Sequence, residues 1–255
     1  MNRKFSFLNK PLVCLTSYNK FTAEIADEFC DVILVGDSLG MAYYGDENTR
    51  KVSMEDMIRH GASVRKGVKK AMMIVDMPYG SYQNTKQALK NAKLIVKKTS
   101  CDAIKLEGGS NIIKIISLLV KNNINVIGHI GLMPQTIKKT KNYRVKGKNV
   151  YEKNKIINDF IQIQKAGVAA VVLEAVKLEV ANEILKISKI PVIGIGASNK
   201  CHGQIIVMED ILGYFVKVPK FAKKYADIRS YIKKTIKKYS LDIKDKKFPT
   251  KKNLY

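Results

Sequence analysis

At 255 residues, with 46% apolar and 27% charged positions, the chain has the size and balance of one α/β domain, and disordered or fibrous classes are excluded. Length alone also admits two smaller domains, but no apolar run reaches the roughly 18 residues of a membrane span, so no membrane partner is expected. The formal charge of +24 would suit a polyanion binder, yet the lysines are dispersed (Lys86, Lys90, Lys93, Lys97, Lys98) or crowd 138–148 and 233–252, without a basic stripe or stacking aromatics. No nucleic-acid partner is therefore expected, although such a surface would help attract an anionic substrate.

In chain order, short apolar and β-branched runs predict strands at Leu12–Thr16, Val32–Val35, Met72–Val75, Ala103–Leu106, Asn125–His129, Ala169–Leu173, Val192–Ile195 and Gln204–Val207. Helical patterns lie between them, as at 53–67, 85–98, 111–121 and 151–166. Ser53 and Asn111 stand at N-cap positions, and Gly67 and Gly167 where helices should stop. Eight strand–helix units in one chain of this length argue for a closed (β/α)₈ barrel rather than an open sheet. The stretch 131–150, rich in Gly and Lys, reads as a long loop and potential lid above the fifth strand. No linker is evident, so residues 1–255 read as a single domain, ending in a short helix and a basic, mobile end after about 240.

Cys14, Cys30, Cys101 and Cys201 form no Cys-x-x-Cys pair, which suits reduced thiols rather than a disulfide frame or a zinc site. The first eight residues carry charge but no continuous apolar region of a signal peptide, and a cytoplasmic location is expected.

Parallel barrels gather chemistry at the C-terminal ends of their strands. Those ends carry Asp37 and Ser38, Asp76, Lys105 and Glu107, His129, and Glu174 on five consecutive strands. Taken singly, each has an ordinary reading: Asp37 or Asp76 as a turn former, His129 as a hydrogen-bonded core residue, Glu174 as an exposed loop acid. Lys105 and Glu107 are two apart and face one side of a strand. Buried there, they form either a structural ion pair or part of a site. Unrelated turns would not all place acids in the same layer, so the set points to a site. Several carboxylates without paired His or Cys suit a hard cation such as Mg²⁺. Such an ion leaves room for a chelating α-keto acid, with Ser38, Lys105 and His129 as donors to its oxygens.

The segments Gly36–Met41, Asp76–Tyr82, Lys105–Gly109, Gly128–Gln135, Val172–Glu174 and Gly194–Ala197 resemble the ketopantoate hydroxymethyltransferase family, in order and over nearly the whole chain. The resemblance implies a (β/α)₈ TIM barrel of the phosphoenolpyruvate/pyruvate-binding type. It also implies transfer of a hydroxymethyl group from 5,10-methylenetetrahydrofolate to 3-methyl-2-oxobutanoate, giving 2-dehydropantoate for pantothenate synthesis. It further implies a homo-oligomer, a decamer by family likeness. By the same resemblance Asp37, Asp76 and Glu107 are metal ligands, Glu107 directly or through water. Asp37, Ser38, Asp76 and Lys105 contact the keto acid, Glu174 is the general base, and His129 lies near the reacting carbon. The chain departs from the family pattern at Asn19, where Asp is usual, and at His202, before Gly203; the departures put local hydrogen bonding and folate-side contacts in question. A rival is a Mg²⁺-dependent enzyme of the phosphoenolpyruvate mutase/isocitrate lyase type, which would carry a lid cysteine; none lies between 102 and 200.

Overall fold

The computed structural model describes residues 10–138 and 143–255, which group into two compact units divided after Val207. In the first unit the strands are β1 (Leu12–Thr16), β2 (Val32–Val35), β3 (Met72–Asp76), β4 (Ala103–Glu107), β5 (Val126–Gly131), β6 (Ala170–Glu174), β7 (Val192–Ile195) and β8 (Gly203–Ile206). Each pairs in parallel with the next and β8 pairs with β1, so the sheet closes into the expected eight-stranded barrel. Strands covered on both faces need no polar alternation, and all residues of β2 and β4 are buried. Leu12, Cys14, Val32, Leu34, Ile74, Ala103, Ile127, Ala170, Val172, Ile193 and Ile205 fill one core cluster. Closure depends on Gly203, where a Cβ would lie 2.7 Å from that of Leu12.

The helices are α1 (Lys20–Ala26), α2 (Met54–Arg65), α3 (Thr85–Thr99), α4 (Ile113–Lys121), α5 (Val150–Lys165) and α6 (Leu178–Ile187). Ser53 caps α2 in a complete capping box, its Oγ accepting from Asp56 N while the Asp56 carboxylate accepts from Ser53 N. The expected cap at Asn111 is not formed. A 3₁₀ turn over Ser110–Ile112 precedes α4, and Asn111 Oδ1 accepts from Gly109 N. Asp159 of α5 takes over the polar work, accepting from Ser110 N at 2.8 Å and Oγ at 2.7 Å. The strand–helix alternation also breaks once: residues 196–202 join β7 to β8 without a helix.

In the second unit, α7 (Met208–Leu212) leads through backbone bonds from Tyr225 and Ala226 to Ile211 O into α8 (Ile228–Lys244). Asp227 caps α8 by accepting from Ser230 N, and the helix is longer than the short terminal one expected, because Ile228, Ile232 and Ile236 keep a helical spacing upstream. The Tyr239 and Phe248 rings meet edge to face at 5.9 Å. Among the described residues no helix is long and apolar enough to cross a membrane.

Candidate active site

Lateral register, more than sequence proximity, assembles the ionisable residues. Asp76 is aligned with Lys105, Glu107 with His129, and Glu174 with Gly131, so β3 to β6 present them side by side at their C-terminal ends. Asp37 follows β2 and joins them by donating its backbone N–H to Asp76 Oδ2 at 3.1 Å. Gly131 permits the β5–β6 approach: at its φ of +94° a Cβ would sit 2.3 Å from Glu174 O. Asp37, Asp76, Lys105, Glu107 and His129 are all buried, Ser38 is half-buried, and the Glu174 side chain is 12% exposed.

Lys105 Nζ lies 3.2 Å from Asp76 Oδ1 and 3.1 Å from His129 Nδ1. The alternative of a structural ion pair between Lys105 and Glu107 gives way to a pairing of Lys105 with Asp76, and both belong to a wider network. His129 stands between carboxylates, with Nε2 3.1 Å from Glu174 Oε2 and Nδ1 3.4 Å from Glu107 Oε1. Burial and the Lys105 cation pull the imidazole pKa down, but Glu107 and Glu174 outweigh them and hold it up at about 9. Burial raises the Asp37 carboxyl well above its ordinary value, assisted by repulsion from Asp76 and Glu107. Asp76 is also raised, by burial against the opposing pull of Lys105. Burial disfavours the Lys105 cation, yet Asp76, Glu107 and Asp37 push its pKa upward on balance. Ser38 Oγ shares a 2.8 Å hydrogen bond with the buried Tyr18 hydroxyl.

Asp37, Asp76, Lys105, Glu107, His129 and Glu174 are therefore brought together, with Ser38 next to Asp37. Strand-end reading missed Gln135, Tyr82 and Tyr143. Gln135 Nε2 donates to Asp37 Oδ2 at 2.7 Å and its backbone N to Glu107 Oε2 at 2.9 Å, while Tyr82 donates to Gln135 Oε1. Burial and then Glu174, Asp37 and Glu107 push the Tyr143 phenol up, and its hydroxyl lies 4.0 Å from the Met41 sulfur. Gln135 and Tyr82 occur in the motifs that carry the family resemblance, and that was their only signal. The anticipated lid over 131–150 falls partly on residues 139–142, outside the described residues; its described part includes a 3₁₀ turn, Pro134–Thr136. The two departures from the family pattern have separate local roles. Asn19 caps α1 by accepting from Thr22 N at 3.0 Å. His202 accepts from Val192 N through Nδ1 and from Leu12 N through its carbonyl, at the starts of β7 and β1, the barrel end opposite the site.

Among the described residues no three His, Cys, Asp or Glu side chains already stand grouped for metal coordination. The donor set still fits a hard cation. Asp76 Oδ1 is buried and, among the described residues, faces only the Lys105 ammonium, at 3.2 Å, while Asp37 lies beside Asp76 through its backbone N–H. Crowded carboxylates driven toward neutrality are what a divalent ion would return to their charged form, and a small protein ligand set suits an ion that keeps much of its water.

Comparison with known proteins adds the lineage. A family profile described as ketopantoate hydroxymethyltransferase matches residues 3–251. The 3-methyl-2-oxobutanoate hydroxymethyltransferase of Pelagibacter ubique (strain HTCC1062) is 46% identical over 260 residues, covering all of both chains. Phosphonopyruvate hydrolase, in a structure with oxalate and Mg²⁺, aligns with a TM-score of 0.62 at 11% identity over 95% of this chain and 88% of its own. For 2,3-dimethylmalate lyase, of the PEP mutase/isocitrate lyase superfamily, the values are 0.62 and 12%, over 92% of this chain and 84% of that one. At such identities these likenesses establish a common barrel fold and nothing finer. The match along essentially the entire sequence does more, and by it the chain belongs to the ketopantoate hydroxymethyltransferase family.

Proposed function

We propose that the chain transfers a hydroxymethyl group from 5,10-methylenetetrahydrofolate to 3-methyl-2-oxobutanoate, yielding 2-dehydropantoate, with Glu174 as general base. The observation that carries this reading is the convergence of Asp37, Asp76, Lys105, Glu107, His129 and Glu174 at one end of a barrel of this family. Asp37 and Asp76, with Glu107 through water, would hold Mg²⁺. When bound, the ion would polarise the keto acid and make its C3 hydrogen more acidic.

The remaining steps fall to the chain. Ser38 and Lys105 donate to the keto acid's oxygens, and Lys105 offsets negative charge that builds there as the C3 proton leaves. Glu174 comes from a different strand than the aspartates and takes that proton, while His129, with Nε2 3.1 Å from Oε2, orients its carboxylate. The C3 carbon then bonds to the folate-borne methylene carbon, water supplies the hydroxyl oxygen, and both bonds from that carbon to folate nitrogens break, so that tetrahydrofolate leaves with one proton from C3 and one from water. Tyr143 and the described part of the loop after β5, around Pro134–Thr136, would border the folate. By family likeness the enzyme is a cytoplasmic homo-oligomer.

The test is turnover of purified protein with 3-methyl-2-oxobutanoate, 5,10-methylenetetrahydrofolate and Mg²⁺. Formation of 2-dehydropantoate, abolished by chelation and restored by Mg²⁺, is expected. Absence of product would refute the donor and acceptor, and full activity in chelator would refute the metal assignment.

A further inference from the structure

Gln135 is buried, and each of its polar groups is committed. Its N–H donates to Glu107 Oε2 at 2.9 Å, and its carbonyl accepts from Arg50 at 3.3 Å. The amide donates both protons of Nε2, to Asp37 Oδ2 at 2.7 Å and to Met77 O at 3.0 Å, while Oε1 accepts from Tyr82. None of these groups is left to bind substrate, so any contribution of Gln135 to the reaction is made through its neighbours.

The amide orientation is fixed from both ends. The Met77 carbonyl only accepts, and so does Asp37 in the ionised form that a metal ligand takes, so Oε1 turned toward them would face Met77 O without a proton between them. At the other end Tyr82 Oη receives the Glu107 N–H at 3.3 Å and has one proton to give. Glu107 O at 3.3 Å and Gln135 Oε1 compete for that proton, and the much shorter contact to Gln135 wins. Tyr82 therefore sets the amide, and the amide sets the Asp37 carboxylate.

We infer that Gln135, oriented by Tyr82, is a positioning residue that presents the Asp37 and Glu107 carboxylates to a divalent cation. The inference rests on the proposed ligand role of Asp37. One residue of the β5–α5 connection then ties together carboxylates from the second and fourth strand ends, which the barrel itself holds on separate strands. Polar partners behind metal ligands commonly contribute ~10–100-fold in affinity.

The experiment is Mn²⁺ binding to the full-length protein, by calorimetry and by the electron paramagnetic resonance spectrum of the bound ion, with melting temperature recorded alongside. Gln135→Leu is expected to weaken binding by ~10–100-fold and to alter the bound-ion spectrum, and Tyr82→Phe to weaken it by a smaller factor. Because Tyr82 acts through Gln135, the double variant should bind no worse than Gln135→Leu alone. A merely structural role would lower the melting temperature and leave affinity and spectrum unchanged, and that result overturns the inference. Losses that multiply in the double variant overturn the Tyr82 link. Should Gln135→Leu not fold, Tyr82→Phe decides: wild-type affinity in that variant rejects the inference. A wild-type protein that binds no Mn²⁺ would instead remove the ligand roles on which the inference stands.

Discussion

Glu174 differs from the other acids of the site in two respects. Its side chain retains 12% exposure where those of Asp76 and Glu107 retain 3% and 2%, and it lies closer to His129, at 3.1 Å, than Glu107 does at 3.4 Å, while Glu107 also accepts from Gln135 N and Asp76 pairs with Lys105. A base has to reach a substrate that arrives from solvent, whereas a ligand has only to face its ion. The imidazole, raised by Glu107 and Glu174 against burial and Lys105, keeps its Nε2 at 3.1 Å from the Glu174 carboxylate. Glu174→Gln preserves shape and hydrogen bonding but cannot take a proton. We expect it to slow hydrogen–deuterium exchange at C3 of the keto acid by ~10²–10⁴-fold, with Mn²⁺ affinity retained. Proton exchange at the wild-type rate, followed by nuclear magnetic resonance of the keto acid in deuterated water, would remove Glu174 from the base role.

At the scale of elements, local signals were legible wherever the partners are near in sequence. Val32–Val35 announces β2 because a strand covered on both faces is apolar throughout, and Ser53 with Asp56 announces α2 because a capping box closes within four residues. Asn111 misleads for the complementary reason: the start of α4 is served by Asp159, 49 residues away on the next helix, which no local pattern reports. The same limit governs the site. Asp37, Asp76, Lys105, Glu107, His129 and Glu174 are readable as polar breaks at strand ends, and alternation puts Lys105 and Glu107 on one side. Which partner each finds depends on register between strands, so Lys105 meets Asp76, and Gln135 enters from a loop that strand-end reading never reaches. Asp159 supplies a test at this scale. Burial opposes its charge, but Lys155 and Ser110 hold the carboxyl below its ordinary pKa. Its stabilising effect is therefore present above the usual carboxylate range and disappears as the pH falls below it. Asp159→Ala should cost ~1–3 kcal/mol at neutral pH and Asn111→Ala less, since the carboxylate binds two donors of the turn and the amide one. Equal losses in denaturant melts would return the cap to Asn111.

For the molecule as a whole, the charge of +24 is the property with least bearing on the fold and a direct bearing on encounter. Inside the site, Lys105 and His129 are matched by four carboxylates, so the net positive charge resides elsewhere on the chain. The α8 lysines 233, 234, 237 and 238 are exposed, as are most others along the sequence. Charge spread in this way gives a long-range field rather than a binding patch, and such a field acts on the approach of an anion more than on the chemistry that follows. The keto acid and the reduced folate of the proposed reaction both carry carboxylates. Raising ionic strength from ~0.01 M to ~1 M shortens the screening length from ~30 Å to ~3 Å, which extinguishes the field beyond the site mouth and leaves the buried contacts nearly untouched. At saturating Mg²⁺, kcat/KM for the keto acid should fall steadily with added salt while kcat holds. A kcat/KM indifferent to salt would mean that the lysines contribute nothing to capture, and a parallel fall in kcat would place the sensitivity within the site instead.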